Sequence, residues 1–125
     1  MGTIGKFAEL EAWTTGRELA NLIYDLTDVG AFAKDFSLRD QLRRSAISAI
    51  SNIAEGFDSR THRGFVHFLG IATASLSKAK SQLYLALDRN YIDGKTFDAV
   101  YDLCDKTARQ ISKFIDYLEQ NRPND

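Results

Sequence analysis

Apolar residues recur along this chain at helical intervals and nowhere alternate as they would in a strand. In the first segment, residues 10–27, Leu10, Trp13, Leu19, Ile23 and Leu26 share one side of a helix, and Gly30 supplies a stop shortly after it. The second segment, residues 38–57, opens behind Ser37, whose hydroxyl suits a helix cap, while Asp40 complements the positive helix end. Thr61 is the expected cap of a third helix over residues 62–88, and Asp93 that of a fourth over residues 94–120. In the fourth, Phe97, Val100, Cys104, Ala108, Ile111, Ile115 and Leu118 repeat at steps of three and four. Short connections between long helices predict an all-α, antiparallel up-down four-helix bundle, with residues 1–125 as a single domain. The single proline, Pro123, falls near the end and breaks no interior helix.

Two of these helices are unusual. Sorted by angle, the second has an apolar arc of Leu38, Leu42, Ala46, Ile47, Ala49, Ile50, Ile53 and Ala54. Its other side, Gln41, Ser45, Ser48, Asn52 and Glu55, is polar but small and nearly uncharged. The third helix has no charged residue from Phe65 to Ser77, and Gly70, Ala74, Ser77 and Ser81 form a small-residue stripe. The fourth, by contrast, displays Asp98, Asp102, Asp105, Lys106, Arg109, Lys113, Asp116 and Glu119. A lone bundle hides no helix on every side, so the second and third helices are expected to meet other copies of the chain, closing a homo-oligomer. Ser45, Ser48, Asn52, Glu55, Gly56, Gly70 and Ala74 are the residues assigned to structure or interface.

Composition limits the chemistry. With 44% apolar and 26% charged residues the chain is an ordinary globular protein, and its net charge is −1. The charge is uneven: residues 37–95 hold 9 basic and 5 acidic groups, while both flanks are acidic. That excess is too small to mark a strong nucleic-acid footprint. Cys104 is the only cysteine, which excludes an internal disulfide and fits a reducing, cytoplasmic setting. No apolar run has the length of a membrane span, so no membrane partner is expected.

Arg39, Arg43, Arg44, Arg60 and Arg63 are the candidate nucleic-acid or interface contacts, because guanidinium groups repeated around an oligomer present a ring to phosphates. The competing reading pairs Arg43 or Arg44 with Glu55 or another acid, and sets Glu55 against Arg60 across the turn. Glu55 alone is not a catalytic constellation: it lacks a partner acid, base or metal in the sequence pattern. His62 and His67 are five residues apart, a poor spacing for metal ligands on one helical face, so no metal and no cofactor is expected. Cys104 belongs to the apolar stripe of its helix, and Gly56 reads as a helix-end residue. Trp13, Tyr24, Phe65 and Phe68 read as packing anchors.

One further pattern spans nearly the whole chain. It comprises Phe7-x-x-Leu10-x-x-Trp13, Leu38-x-x-Gln41-Leu42-Arg43-Arg44-Ser45-Ala46-x-Ser48 and Asn52-Ile53-Ala54-Glu55-Gly56, followed by Arg60, Phe65-x-x-Phe68-Leu69 and Ile71-Ala72-x-Ala74-Ser75-Leu76. It resembles the four-helix bundle proteins encoded in intervening sequences of bacterial 23S ribosomal RNA genes. The resemblance implies a bundle that assembles into rings of five, with no established enzymatic activity. A related branch, the accessory proteins of diversity-generating retroelements, is strongly basic and binds a reverse transcriptase and nucleic acid. Here Lys78 stands where the family often has Glu, and the near-neutral charge departs from the retroelement branch.

The expectation is therefore a non-catalytic, homo-oligomeric scaffold or adaptor whose partners are its own copies and RNA or a nucleic-acid-associated protein. The alternatives are an enzyme with Glu55 and nearby arginines at subunit junctions, and a selfish-element protein with no dedicated partner.

Overall fold

The computed structural model describes residues 5–59 and 61–121. The readings made for Arg60 and Pro123 thus lie outside the described residues. Among the described residues the chain forms four α-helices and no strand: α1 Glu11–Thr27, α2 Phe36–Asp58, α3 His62–Asp88 and α4 Gly94–Gln120. A 3-10 turn, Phe7–Glu9, precedes α1, and a second, Phe32–Lys34, leads into α2.

The expected caps hold for the last two helices. Thr61 Oγ1 accepts from Gly64 N at 3.0 Å, and Asp93 Oδ1 accepts from Thr96 N at 2.8 Å. The start of α2 differs from the Ser37 cap read from the sequence. Ser37 lies inside the helix, and Asp35 caps it, Oδ1 accepting from Leu38 N at 3.1 Å. The other oxygen, Oδ2, accepts the Tyr91 hydroxyl proton at 2.9 Å, while the Tyr91 ring stacks on Phe32 with centroids 5.1 Å apart. A carboxylate that caps a helix and also receives a phenol from a distant loop wins over a serine that could only cap. The Leu38 backbone bond, then the Tyr91 hydroxyl, with Arg89 nearby, hold the Asp35 carboxyl below its ordinary 3.8.

The turn after α1 contains Gly30 at φ 62°, and the turn after α3 places Asn90 at φ 61°. Asparagine is among the few residues other than glycine that take this left-handed conformation at low cost. Contacts join α1 to α2, α2 to α3, α3 to α4 and α4 back to α1, so one core lies between all four helices. Its largest fully buried members include Leu19 and Ile23 of α1, Leu42 and Ile53 of α2, Leu69, Leu76 and Leu83 of α3, and Val100 and Ile111 of α4. The α2–α3 contact is the most extensive. Ala46, Ala49, Ala72 and Ala79, all buried, put small side chains along these two helices.

Thr27 closes the end of α1. Its hydroxyl is buried, donates to Ile23 O at 2.7 Å and accepts from Arg43 Nε of α2 at 2.8 Å.

The lowered folded value of Asp35 sets the sign of a pH effect. Its contribution is complete above 3.8 and is lost as pH falls through the depressed folded value. In urea unfolding, the stability gap between the parent chain and Asp35→Ala should be wide at about pH 7 and narrow at about pH 2.5. A gap of equal width at both would contradict this role.

Candidate interface on the outer face of α2 and α3

The small polar residues of α2 serve a different purpose from the one the sequence pattern predicts. Ser45 is buried, and its hydroxyl donates to Gln82 Oε1 of α3 at 3.0 Å. The Ser48 and Ser75 hydroxyls lie 2.8 Å apart. Ser75 also donates to Ile71 O at 3.0 Å, which makes Ser48 the donor between the two serines. Asn52 Nδ2 donates back to Ser48 O at 2.8 Å. Ser45, Ser48 and Asn52 therefore lie along the α2–α3 seam of one chain and do not wait for a neighbouring copy. Helical period groups residues into a stripe but does not say which neighbour covers it.

The surface that does remain uncovered runs along the outside of α2 and α3. On α2, Arg44, Ile47, Ser51 and Glu55 are exposed, so no charge appears on it between Arg44 and Glu55. Ile47, assigned to the apolar core arc, is 41% exposed. It lies at the edge of that arc, where α2 turns away from both packed neighbours. On α3, Gly70, Ala74, Ser77 and Ser81 are exposed as a stripe, flanked by Ile71, Tyr84 and Leu85, the last two at 53% and 50%. Lys78 is the one exposed charge of α3 between Arg63 and Asp88.

The two interface glycines differ. A Cβ on Gly70 would meet no atom within 4 Å, so no contact inside the chain requires glycine there. A Cβ on Gly56 would lie 3.1 Å from Phe68 Cβ and 3.2 Å from the Phe65 carbonyl oxygen. Gly56 is inside the last turn of α2, which runs on to Asp58, and is needed for the close approach of α3. This corrects its reading as a helix end.

The arginines do not form one cluster. Arg39 Nε contacts Asp40 Oδ1 at 2.9 Å, Nη1 donates to Ala33 O at 3.0 Å, and the guanidinium covers the Phe36 ring at 4.7 Å. Arg43 is drawn to the end of α1, bonded to Thr27 and 4.5 Å from the Tyr24 ring centroid, with Asp28 at 3.9 Å. Of the acids that the pairing reading offered, Glu55 or another, Arg43 thus meets Asp28 at the end of α1. Arg44 and Glu55 are exposed on α2, and Arg63 is exposed in the first turn of α3.

Several contacts had no signal in the sequence pattern. Lys80 reaches Asp105 of α4 at 2.6 Å and lies 4.8 Å from the Tyr101 ring, and the Asp105 bond raises its pKa. His62 Nε2 lies 3.0 Å from Glu119 Oε1, tying the start of α3 to the end of α4. Gly16 of α1 lets α2 approach, since a Cβ there would sit 2.7 Å from Ile50 Cγ2. Among the described residues, no three His, Cys, Asp or Glu side chains are grouped to hold a metal. No described helix is long and apolar enough to cross a membrane.

Two variants and one reagent test this geometry. Gly56→Leu should destabilise the fold by about 1–3 kcal/mol through overpacking against Phe65 and Phe68. Gly94→Leu, where a Cβ meets nothing within 4 Å, should stay near the parent chain in the same thermal melts. Equal losses would refute the close-approach role of Gly56. Cys104 is buried, and burial pushes its thiol up to about 12. Iodoacetamide at mild alkaline pH should therefore label it only at urea concentrations that unfold the chain; rapid labelling of the native protein would place the thiol outside the core.

Comparison with known proteins fits this architecture. A solved structure of a protein with unknown function from the S23 ribosomal protein family of Bacteroides thetaiotaomicron VPI-5482 superposes with a TM-score of 0.76. The match covers 83% of this chain and 97% of that one, at 20% identity, and establishes likeness of fold. Among curated proteins none matches. The family profile described as 23S rRNA-intervening sequence protein matches residues 8–113, and the chain belongs to that family.

Proposed function

We propose that this chain is a non-catalytic scaffold that works as a closed homo-oligomer. Its helices run up and down as an antiparallel bundle, and the outer face of α2 and α3 is covered by further copies. The antiparallel reading is supported by the seam itself: Ser45 bonds Gln82, while Ser48, further along α2, meets Ser75, further back along α3. The observation that carries the assembly is the outer face with Lys78 as its single lysine, where Ile47, Ile71, Tyr84 and Leu85 stand exposed around a glycine that nothing in the chain requires. A solvated helix face normally displays charge, as α4 does. Five copies is the number that the family resemblance implies, and the cytoplasm is the compartment that a lone buried thiol fits.

The partner we assign to this assembly is RNA or a ribonucleoprotein. Arg39 and Arg43 are engaged within the chain, so Arg44, which bounds the uncharged stretch of α2 and stands at the rim of the covered face, is the phosphate contact of choice.

Light scattering coupled to gel filtration should give the parent chain a mass that is a multiple of 14.0 kDa. Ala74→Glu, an exposed position on α3, should reduce it to a single chain with its helical circular dichroism intact. A monomeric parent chain at micromolar concentration would refute the assembly. Titrations with structured and single-stranded RNA at two salt concentrations test the partner. Affinity should fall with salt, and Arg44→Ala should make that fall shallower. Absent or salt-insensitive binding would refute the phosphate contact.

A further inference from the structure

Lys78 is the one charge inside the uncovered band of α2 and α3, and among the described residues it has no ion-pair partner. Lys80, two residues on, is held by Asp105, so the chain answers one lysine of this helix and leaves the other. A copy laid over the band takes the Lys78 ammonium out of water. An ammonium covered in this way is costly unless a carboxylate meets it. The covering copy must therefore bring an acid, or the lysine must escape to the rim along its stem.

Glu55 is the carboxylate of the same band. It is exposed, and among the described residues it too has no ion-pair partner. The seam contacts step in opposite directions along the two helices: Ser45 with Gln82, Ser48 with Ser75, and Gly56 beside Phe68. By that register Glu55 stands level with Gly70 of α3. Lys78 follows Gly70 by eight residues, about 12 Å at the helical rise, so Lys78 and Glu55 are too far apart to pair within one chain. The space over Gly70 is open, since a Cβ there would meet no atom within 4 Å. An exposed glycine level with an unpaired carboxylate makes a notch with room for the flexible stem of a lysine and an anion for its ammonium.

We infer that the copy covering the band lays its Lys78 over Gly70 and against the Glu55 carboxylate. Donor and receptor are different residues, so each chain can give one lysine and receive another, as either a ring or a two-fold contact requires. This contact rests on the assembly proposed above and fixes the register of its chains. It also gives Gly70 the purpose that its own chain does not supply.

Light scattering over a range of concentrations reads the contact as the concentration at which the chains assemble. Lys78→Glu and Glu55→Lys each bring like charges together and should raise that concentration about tenfold or more. The double exchange, Lys78→Glu with Glu55→Lys, restores opposite charges and should return it to within about threefold of the parent chain. Gly70→Leu should weaken assembly as the single exchanges do. All three positions are exposed, so each variant should keep the helical circular dichroism of the parent chain. Single exchanges that assemble like the parent chain would overturn the pairing and show the lysine escaping to the rim, with the assembly itself left standing. So would a double exchange no better than its singles, or a Gly70→Leu chain that assembles like the parent. A parent chain that stays monomeric at micromolar concentration would overturn the assembly and this contact with it.

Discussion

The close approach of α2 and α3 is the constraint on which the rest of the structure depends. It is made by what these helices lack. Buried alanines at positions 46, 49, 72 and 79 and glycine at 56 remove the bulk that would hold the helices apart. Short polar side chains then bond across the gap, through Ser45 to Gln82 and Ser48 to Ser75. Close packing of this kind loses energy steeply when even one methylene is added. It also explains how a helix carries serines at inward positions without an unpaired hydroxyl: each is answered from the facing helix or from its own preceding turn.

That internal use of the small polar residues changes the argument for assembly. A poorly charged helix has two routes to satisfaction, a neighbour in its own chain or a neighbour in another. The structure assigns Ser45, Ser48 and Asn52 to the first route. What remains for the second is a band one step around the helix, from Ile47 on α2 to Ile71, Tyr84 and Leu85 on α3. Exposed apolar side chains on a band with a single lysine are a stronger argument for a covered surface than the serine stripe was. The family membership and the shared fold speak to the architecture, while the assembly and its role rest on the proposal made for them.

Most of the fold was legible because helical period is a local property. Four segments, their order and the caps at Thr61 and Asp93 all follow from residues within a few positions of one another. The failures have the opposite character. Asp35 displaced Ser37 as the cap because of Tyr91, which lies 56 residues away. Arg43 found Thr27 at the end of another helix, and Gly56 was needed for residues of α3. The site was legible only as a list of candidate positions. Sequence spacing placed Gly70 and Ala74 on an open face correctly but misplaced Ile47 and Ser45, since both sit near the boundary between two faces. A boundary residue is decided by where the neighbouring helices stand, which local spacing does not encode.

The central claim is that the outer band of α2 and α3 is covered in solution. Hydroxyl-radical footprinting at micromolar concentration reads this side chain by side chain. In the chain alone Ile47, Ile71, Tyr84 and Leu85 are 36–53% exposed, and Val29, away from the band, is 65% exposed. Allowing for the intrinsic reactivity of each residue type, the account predicts strong protection of the four band residues and none of Val29. Oxidation of all five in proportion to their exposure in the single chain would contradict it.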